Sequence, residues 1–234
     1  MPFSPITEFW VLFFLSSPFW HMLIVSRSAG HAFGKCCLIL TFMVAWTVFA
    51  FTAVTTQFDL AFLGPIAPAR PLIYLSLISL MAYLARNWIL DSGVSQHVLI
   101  GLQLIRPIGL VFVFEYYRGT LPGIFAHPAG WGDLLVGCVA AYVLWRFWQR
   151  EIPTFWVLMV ACLGLLDFAS AFFFGFTSSA TPIQLFSFEA PNKVIEYPLG
   201  LIPLFLVPYA VVAHILSLSQ LARDRNADQA KTTV

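Results

Sequence analysis

The sequence predicts an all-α integral membrane protein with seven transmembrane helices, its N-terminus outside and its C-terminus in the cytoplasm. The 234 residues are 60% hydrophobic and only 10% charged, whereas soluble domains carry about 25% charged residues. The apolar residues fall into seven stretches, each near the about 20 residues that a helix needs to cross a bilayer. Lys and Arg are also distributed unevenly between alternate connections, which predicts the orientation.

The seven stretches leave almost no residues for a soluble domain. They lack the alternating apolar and polar pattern of a membrane β-barrel, and helices then satisfy the backbone in lipid. We therefore expect a single seven-helix membrane domain over residues 1–220 and a short cytoplasmic tail over residues 221–234. The predicted spans are 6–25, 36–56, 71–89, 96–116, 131–148, 154–175 and 198–220.

The first predicted span could be confused with a signal peptide, and the last predicted span contains prolines. Residues 6–25 are interpreted as a span and not as a cleaved signal peptide, because no basic segment precedes them and Glu8 lies near their start. Pro203 and Pro208 lie inside the last span, where prolines remove helix hydrogen bonds and kink the helix. Either a bent packing helix or a discontinuous helix that lines a site fits this pattern.

The orientation follows from the cations in the connections. If the N-terminus is outside, eight Lys and Arg residues lie on the cytoplasmic side and three on the outer side, as the positive-inside rule requires. The cytoplasmic cations are Arg27, Lys35, Arg86, Arg146, Arg150, Arg223, Arg225 and Lys231, and the outer ones are Arg70, Arg118 and Lys193.

Arg106 lies near the middle of the fourth span, where a charge is expensive and needs a partner. Asp167 is the carboxylate closest to it in depth, so we predict an Arg106–Asp167 pair. Small residues three and six positions before Asp167 would let another helix approach. Gln103 shares the face of Arg106, while Glu115 falls on the opposite face near the outer end. The pair is either a structural clamp or part of a ligand or ion path.

Asp133 lies at the start of the fifth predicted span and has two possible roles. Its carboxylate could cap the free N–H groups of that helix, or it could face the space that Asp167 faces. His127 and Glu196 lie on the same outer side. We expect these groups to form an outward-facing polar vestibule, roofed by the Gly- and Pro-rich connection of residues 119–130.

The residues between Arg106 and Gly137 also carry a resemblance. The pattern Arg106-x-x-Gly109, then Gly119-x-Leu121-Pro122, Phe125-Ala126-x-Pro128-Ala129-Gly130-x-Gly132-Asp133 and Val136-Gly137 resembles small bacterial polytopic membrane proteins of uncharacterised function. The resemblance implies a multi-pass protein of the bacterial inner membrane, and it implies no mechanism.

Three classes of function fit these features. The first is a transporter, channel or binding protein for a small polar or anionic ligand or an ion, with Arg106, Asp167, Asp133, Gln103 and His127 as candidate site residues. The second is an intramembrane enzyme that uses His127, Asp133 and Asp167, for which no catalytic set or metal-ligand spacing is recognisable. The third is a structural or assembly partner without a pocket of its own. We predict the first, with the lipid bilayer as partner and with no cofactor, metal or nucleic acid.

Overall fold

The computed structural model describes residues 2–28, 33–63 and 69–232, and the side chains of Arg27 and Lys231 lie outside the described part. Within these ranges the chain forms helices and no strand. Two non-α segments interrupt the helices: a 3₁₀ segment at Leu102–Gly109 and a π-helical segment at Ile202–Leu206. The α-helices are α1 (Pro5–Ser28), α2 (Phe33–Thr56), α3 (Leu60–Leu63), α4 (Arg70–Leu90), α5 (Gln96–Gly101), α6 (Leu110–Tyr117), α7 (Gly123–Arg146), α8 (Thr154–Ser178) and α9 (Val207–Thr232).

Six helical stretches in the described part of the chain are long and apolar enough to cross a membrane. They correspond to the second through seventh predicted spans, so the prediction of an all-α membrane protein is confirmed. The first predicted span coincides with α1, a helix of 24 residues. Its crossing of the membrane and the N-out, C-in orientation stay predictions. The six stretches are Gly34–Thr56, Arg70–Leu90, Gln96–Tyr117, Gly123–Arg146, Thr154–Ser178 and Ile202–Ala227.

The fifth span begins eight residues before its predicted start, because α7 starts at Gly123 rather than at residue 131. Its first turns pack inward through buried Phe125 and Ala126, and membrane helices tolerate an internal proline such as Pro128. The prediction of an irregular connection over residues 119–130 is therefore wrong, since only the residues before Gly123 form a turn and the others belong to α7. Asp133 consequently lies well inside α7 and cannot cap its N-terminus.

The fourth span is wound more tightly at its centre than an α-helix. Its 3₁₀ segment contains Pro107, and side chains three residues apart are eclipsed in such a helix. Gln103, Arg106 and Gly109 therefore lie along one line, and all three are buried. The shared face predicted for Gln103 and Arg106 is confirmed.

The last span is irregular at its start, as its prolines predict. Pro208 has no N–H group to donate to the carbonyl of Leu204, its partner one turn earlier. The indole Nε1–H of Trp46 on α2 donates to that carbonyl instead, at 3.0 Å. At the other end α9 continues to Thr232, so the predicted tail is helical, while its cytoplasmic location stays a prediction.

The bundle has two ends, which we call the connection end and the tail end. The connection end holds the turn before α7 and the long segment between α8 and the π-helical segment. The tail end holds Gln96 at the start of α5 and the C-terminal half of α9, which are joined because Nε2 of Gln96 donates to the Ser217 carbonyl at 3.0 Å. In the predicted orientation the connection end is outside and the tail end is cytoplasmic.

Candidate functional site

Three charged side chains from three different spans meet near the middle of the bundle. Nε of Arg106 donates to Oδ1 of Asp133 at 2.8 Å, and Nη2 of Arg106 donates to Oδ2 of Asp167. The exposed fractions are 2% for Arg106, 8% for Asp133 and 9% for Asp167, so most of the surface of these three side chains is in contact with protein. We call these residues the triad. The predicted Arg106–Asp167 pair is confirmed, and of the two roles proposed for Asp133 the structure shows the inward-facing one, in which it is a second partner of Arg106.

The guanidinium of Arg106 is engaged on its remaining sides as well. Nη1 donates to the carbonyl of Gly164 at 3.4 Å. The guanidinium carbon lies 3.9 Å from the centre of the Phe168 ring, where the ring face attracts a cation. Each of the three guanidinium nitrogens therefore donates at least one hydrogen bond inside the protein, and one face of the group packs on an aromatic ring.

Glycines make room for the triad on each of the three spans. A β-carbon on Gly109 would overlap the carboxylate of Asp133, and one on Gly132 would overlap the carboxylate of Asp167. A β-carbon on Gly164 would lie 2.9 Å from Nη1 of Arg106. Because any other residue would push the charged groups apart, these glycines set the distances within the triad.

The triad contains one cation and two carboxylates. When all three groups are ionised it has a net charge of −1, which is costly in a buried site because two like charges share one counter-ion. A single acid would suffice to neutralise Arg106. The second carboxylate therefore calls for a bound proton, a cation or a hydrogen-bond donor.

A cavity of about 570 Å³ extends from the triad toward the connection end. Asp133 and Asp167 line it, whereas Arg106 is not among its lining residues. Its walls are largely apolar and aromatic, and polar groups lie near its other end. The aromatic wall residues are Phe112, Phe125, Phe168, Phe172 and Phe176, and the charged residues toward the connection end are Arg70, Lys193 and Glu196.

A second buried arginine lies on this cavity. Nη1 of Arg70 donates to Oδ1 of Asp59 at 3.2 Å, and Nη2 donates to the carbonyl of Ile195 at 3.1 Å. The hydroxyl of Tyr74 donates to Oδ2 of Asp59 at 2.9 Å. Arg70 is 1% exposed and Asp59 is 3% exposed. The sequence predicted only that Arg70 lies in an outer connection. The one sequence signal for its ion pair was that Asp59 is the single acid between α2 and α4.

The other candidate residues lie outside the triad. Gln103 is buried, donates from Nε2 to the Ala210 carbonyl at 3.0 Å, and leaves its Oε1 without a partner. His127 lies on another face of α7, where its Nδ1 accepts a hydrogen bond of 3.3 Å from the Trp131 indole. Its ring centre is 4.5 Å from that of Tyr116. The structure therefore does not bring His127 to the two aspartates.

Glu115 is not a partner of Arg106, as its position on the opposite face predicted. It is fully buried within the protein: the backbone N–H of Ser4 and Nη1 of Arg118 donate to it at 3.0 and 3.1 Å. The hydroxyls of Thr7 and Thr120 also bind this carboxylate. Glu115 thus joins the start of the chain to the end of α6.

Within the residues that the structure describes, no group of three or more His, Cys, Asp and Glu side chains could hold a metal ion. The triad and the cavity beside it present two carboxylates, one guanidinium and an aromatic wall. Such a set can bind a cation, hold a proton or accept hydrogen bonds.

Comparison with known proteins assigns the chain to a family without a described activity. No curated protein and no solved structure matches it. A family model described as a domain of unknown function, DUF8737, matches residues 71–222, which include the whole triad. The chain therefore belongs to the DUF8737 family.

Proposed function

We propose that this membrane protein binds, and moves across the bilayer, a small molecule that combines an apolar body with a basic or hydrogen-bond-donating group. The observation that carries the proposal is the cavity of about 570 Å³ that ends at the carboxylates of Asp133 and Asp167. In this proposal the membrane is the bacterial inner membrane, and the cavity faces outward.

The charge arrangement favours a cationic group over the anionic group expected from Arg106 alone. The donors of Arg106 already bind Asp133, Asp167 and the Gly164 carbonyl. An anion would bring a third negative charge beside two carboxylates that already share one cation, which is unfavourable. A cation or a donor can instead approach the carboxylates from the cavity without breaking the triad.

The walls favour a ligand with substantial apolar surface. The cavity lies within the range of about 300–1,000 Å³ that is typical of small-molecule sites, and aromatic side chains line much of it. Phe168 stacks on Arg106 through one face, and Phe172 follows one turn later on α8. Aromatic faces also attract organic cations, so the body and the charge of an aromatic amine both find partners.

A ligand panel with one skeleton and three head groups tests the proposal. Phenylalkyl amines, alcohols and carboxylates of equal chain length are compared by thermal shift and calorimetry on the protein in lipid nanodiscs. We expect the amine to bind, the alcohol to bind more weakly and the carboxylate not to bind. Proteoliposomes loaded with the same amine then measure its movement across the bilayer.

The matched variants are Asp167→Asn, which leaves the Arg106–Asp133 ion pair in place, and the surface substitution Asp91→Asn. Asp91 pairs with Arg223 at the tail end, and both side chains are exposed, so this change removes a carboxylate without touching the cavity. Amine binding should disappear in Asp167→Asn and persist in Asp91→Asn. Binding of the carboxylate, or amine binding that survives Asp167→Asn, would contradict the proposal.

The direction of the cavity is tested separately. Reporter fusions after Arg150 and at the C-terminus should both give a cytoplasmic signal, which places the connection end outside. A periplasmic signal at either position would place the cavity on the cytoplasmic side.

A further inference from the structure

We propose that Asp133 and Asp167 share one proton in the ligand-free protein, and that each cation bound at the triad replaces this proton. This inference rests on the proposed function and deepens it, because it states what leaves the site when the cation binds. It can fail while amine binding stands, since a cation can also bind without releasing a proton.

The first observation is that two different carboxylates occupy one edge of the Arg106 guanidinium. Nε donates to Oδ1 of Asp133 at 2.8 Å, and Nη2 donates to Oδ2 of Asp167. Nε and Nη2 lie on the same edge of the planar group, where two parallel N–H bonds commonly bind both oxygens of a single carboxylate. The two aspartates therefore bring one oxygen each to positions that are spaced for one carboxylate.

The second observation is that the side chains of Asp133 and Asp167 are also hydrogen-bonded to each other. An ionised carboxylate only accepts hydrogen bonds, whereas a protonated carboxyl group donates one through its O–H. A hydrogen bond between the two groups therefore requires one proton. With this proton in place the pair carries one negative charge, which the guanidinium of Arg106 balances.

The third observation concerns the sides on which the two carboxyl groups are confined. A β-carbon on Gly132 would overlap Oδ1 of Asp167, and a β-carbon on Gly109 would overlap Oδ2 of Asp133. The backbone of α7 and that of the 3₁₀ segment thus lie against the carboxyl groups. Their open side is the cavity of about 570 Å³, which both aspartates line.

The shared proton and the ligand therefore reach the aspartates from the same space. Lys193 and Glu196 line the cavity near the connection end and have exposed side chains, so the cavity is continuous with the surface there. An ammonium group that arrives from this side supplies the positive charge that the proton supplied. Occupancy by the cation and occupancy by the proton then exclude each other.

The exchange balances in atoms and in charge. The O–H bond of the shared carboxyl group breaks, and the proton passes to a water that leaves through the cavity as hydronium. The ammonium group, which is charged at neutral pH, donates its N–H groups to the two carboxylates. The triad together with its occupant is neutral before and after the exchange.

The other charged and titratable groups near the site do not supply the exchanged proton. His214 of α9 approaches Arg106 beside Gly164 of α8, and a cationic imidazole there would be repelled by the guanidinium. His214 therefore has no proton to give up when an amine binds. The groups at the far end of the cavity are the Arg70–Asp59 ion pair, Lys193 and Glu196.

Calorimetry in two buffers of different ionisation enthalpy counts the protons released per ligand bound to the protein in nanodiscs. The phenylalkyl amine should release about one proton, and its dissociation constant should rise about tenfold for each unit by which the pH falls while the ligand-free site keeps its proton. The phenylalkyl alcohol of equal length should release no proton, because it brings no charge. Amine binding without proton release would overturn the inference and leave the proposed function standing.

His214→Gln is the matched variant for this measurement. It keeps a polar side chain beside Arg106 but removes the titratable imidazole. Proton release and its pH dependence should be the same as in the parent protein. If either is lost in this variant, the exchanged proton belongs to His214 and the inference is wrong.

Infrared spectroscopy tests the shared proton without any ligand. At neutral pH the parent protein and the surface variant Asp91→Asn should both show the C=O absorption of a protonated carboxyl group. Asp167→Asn should lose that absorption, because Asp133 is then the single acid bound to Arg106. A parent spectrum equal to that of Asp167→Asn would overturn the inference, whereas a parent that shows the absorption and binds no amine would overturn the proposed function.

Discussion

Two buried arginines of this protein lie on the same membrane bundle and are neutralised differently. Arg106, near the middle of the bundle, binds the carboxylates of Asp133 and Asp167. Arg70, at the connection end, binds one carboxylate, that of Asp59, together with a backbone carbonyl. Both arginines are almost completely buried, so each needs at least one acid to be tolerated there.

The comparison separates what a buried arginine requires from what the triad adds. The Arg70 cluster is electrically neutral, and Tyr74 supplies a neutral donor to the remaining oxygen of Asp59. The triad has one carboxylate more than neutrality demands. Asp59 and Arg70 also lie outside residues 71–222, the stretch that the family model matches, whereas the triad lies inside it. The second acid of the triad is therefore the group to which the proposed function gives the ligand contact, and the Arg70 cluster is the neutral pair to compare with it.

The largest effect is expected from Arg106→Leu. This change leaves two carboxylates buried side by side with no cation, and it should lower the free energy of unfolding by about 3–5 kcal/mol or more. Thermal and denaturant unfolding in nanodiscs measure the loss. Arg223→Leu is the control, because the surface pair with Asp91 is exposed and should contribute at most about 1 kcal/mol. Equal losses in both variants would mean that the triad is not desolvated.

The next effect distinguishes the two clusters directly. Asp59→Asn leaves Arg70 with no counter-ion and should cost about 3–5 kcal/mol. Asp167→Asn leaves a neutral Arg106–Asp133 pair and an amide oxygen that can still accept a hydrogen bond, so it should cost only about 1 kcal/mol. Unfolding of the two variants under identical conditions measures the difference. If Asp167→Asn proves as harmful as Asp59→Asn, the second carboxylate is a required part of the clamp.

A smaller effect is expected from the space around the triad. A β-carbon on Gly132 would overlap a carboxylate oxygen of Asp167, so Gly132→Ala should cost about 1–3 kcal/mol through displacement of the packed groups. Gly101→Ala is the matched control, because its nearest neighbour would be Leu144 at an ordinary contact distance of 3.9 Å. A Gly132→Ala protein as stable as Gly101→Ala would argue against the tight triad geometry.

The smallest effect concerns the neutral member of the Arg70 cluster. Tyr74→Phe removes one hydrogen bond to Asp59 but leaves the ion pair, so the expected loss is about 0.5–1.5 kcal/mol. Amine binding should be unchanged in this variant. A loss of binding would show that the Arg70 cluster takes part in ligand recognition, and the division between the two clusters would then fail.

The parts of this molecule that sequence reasoning recovered depend on length and depth along a helix. Apolar stretches of about 20 residues predict spans because the bilayer has a fixed thickness. Counting residues from the ends of the spans also predicted that Arg106 and Asp167 lie at similar depth, and this similarity led to the prediction that they pair. Gly109 and Gly132 were part of the quoted pattern, but their use as clearance for the two carboxylates needed the structure.

The errors arose where one local signal has two physical meanings. Glycines and prolines before Asp133 are typical of a loop, yet membrane helices also tolerate them when neighbours pack closely. The loop assignment kept a helix cap open as one role of Asp133, whereas the structure shows the other role, in which Asp133 faces the same space as Asp167 and binds Arg106. The contact between Asp59 and Arg70 crosses the connection between α2 and α4, and no period or spacing in a single sequence encodes such a contact.

The hydrogen bond from Trp46 to the Leu204 carbonyl has a consequence for biogenesis. Chain synthesis delivers α2 to the membrane long before the last span emerges. The last span carries a carbonyl that its own proline cannot satisfy, and an unpaired carbonyl in lipid is costly. The indole of α2 meets that need from outside the helix, at 3.0 Å. An early helix thus supplies a hydrogen bond that the last span cannot make for itself, so the last span is fully paired only when it packs against α2.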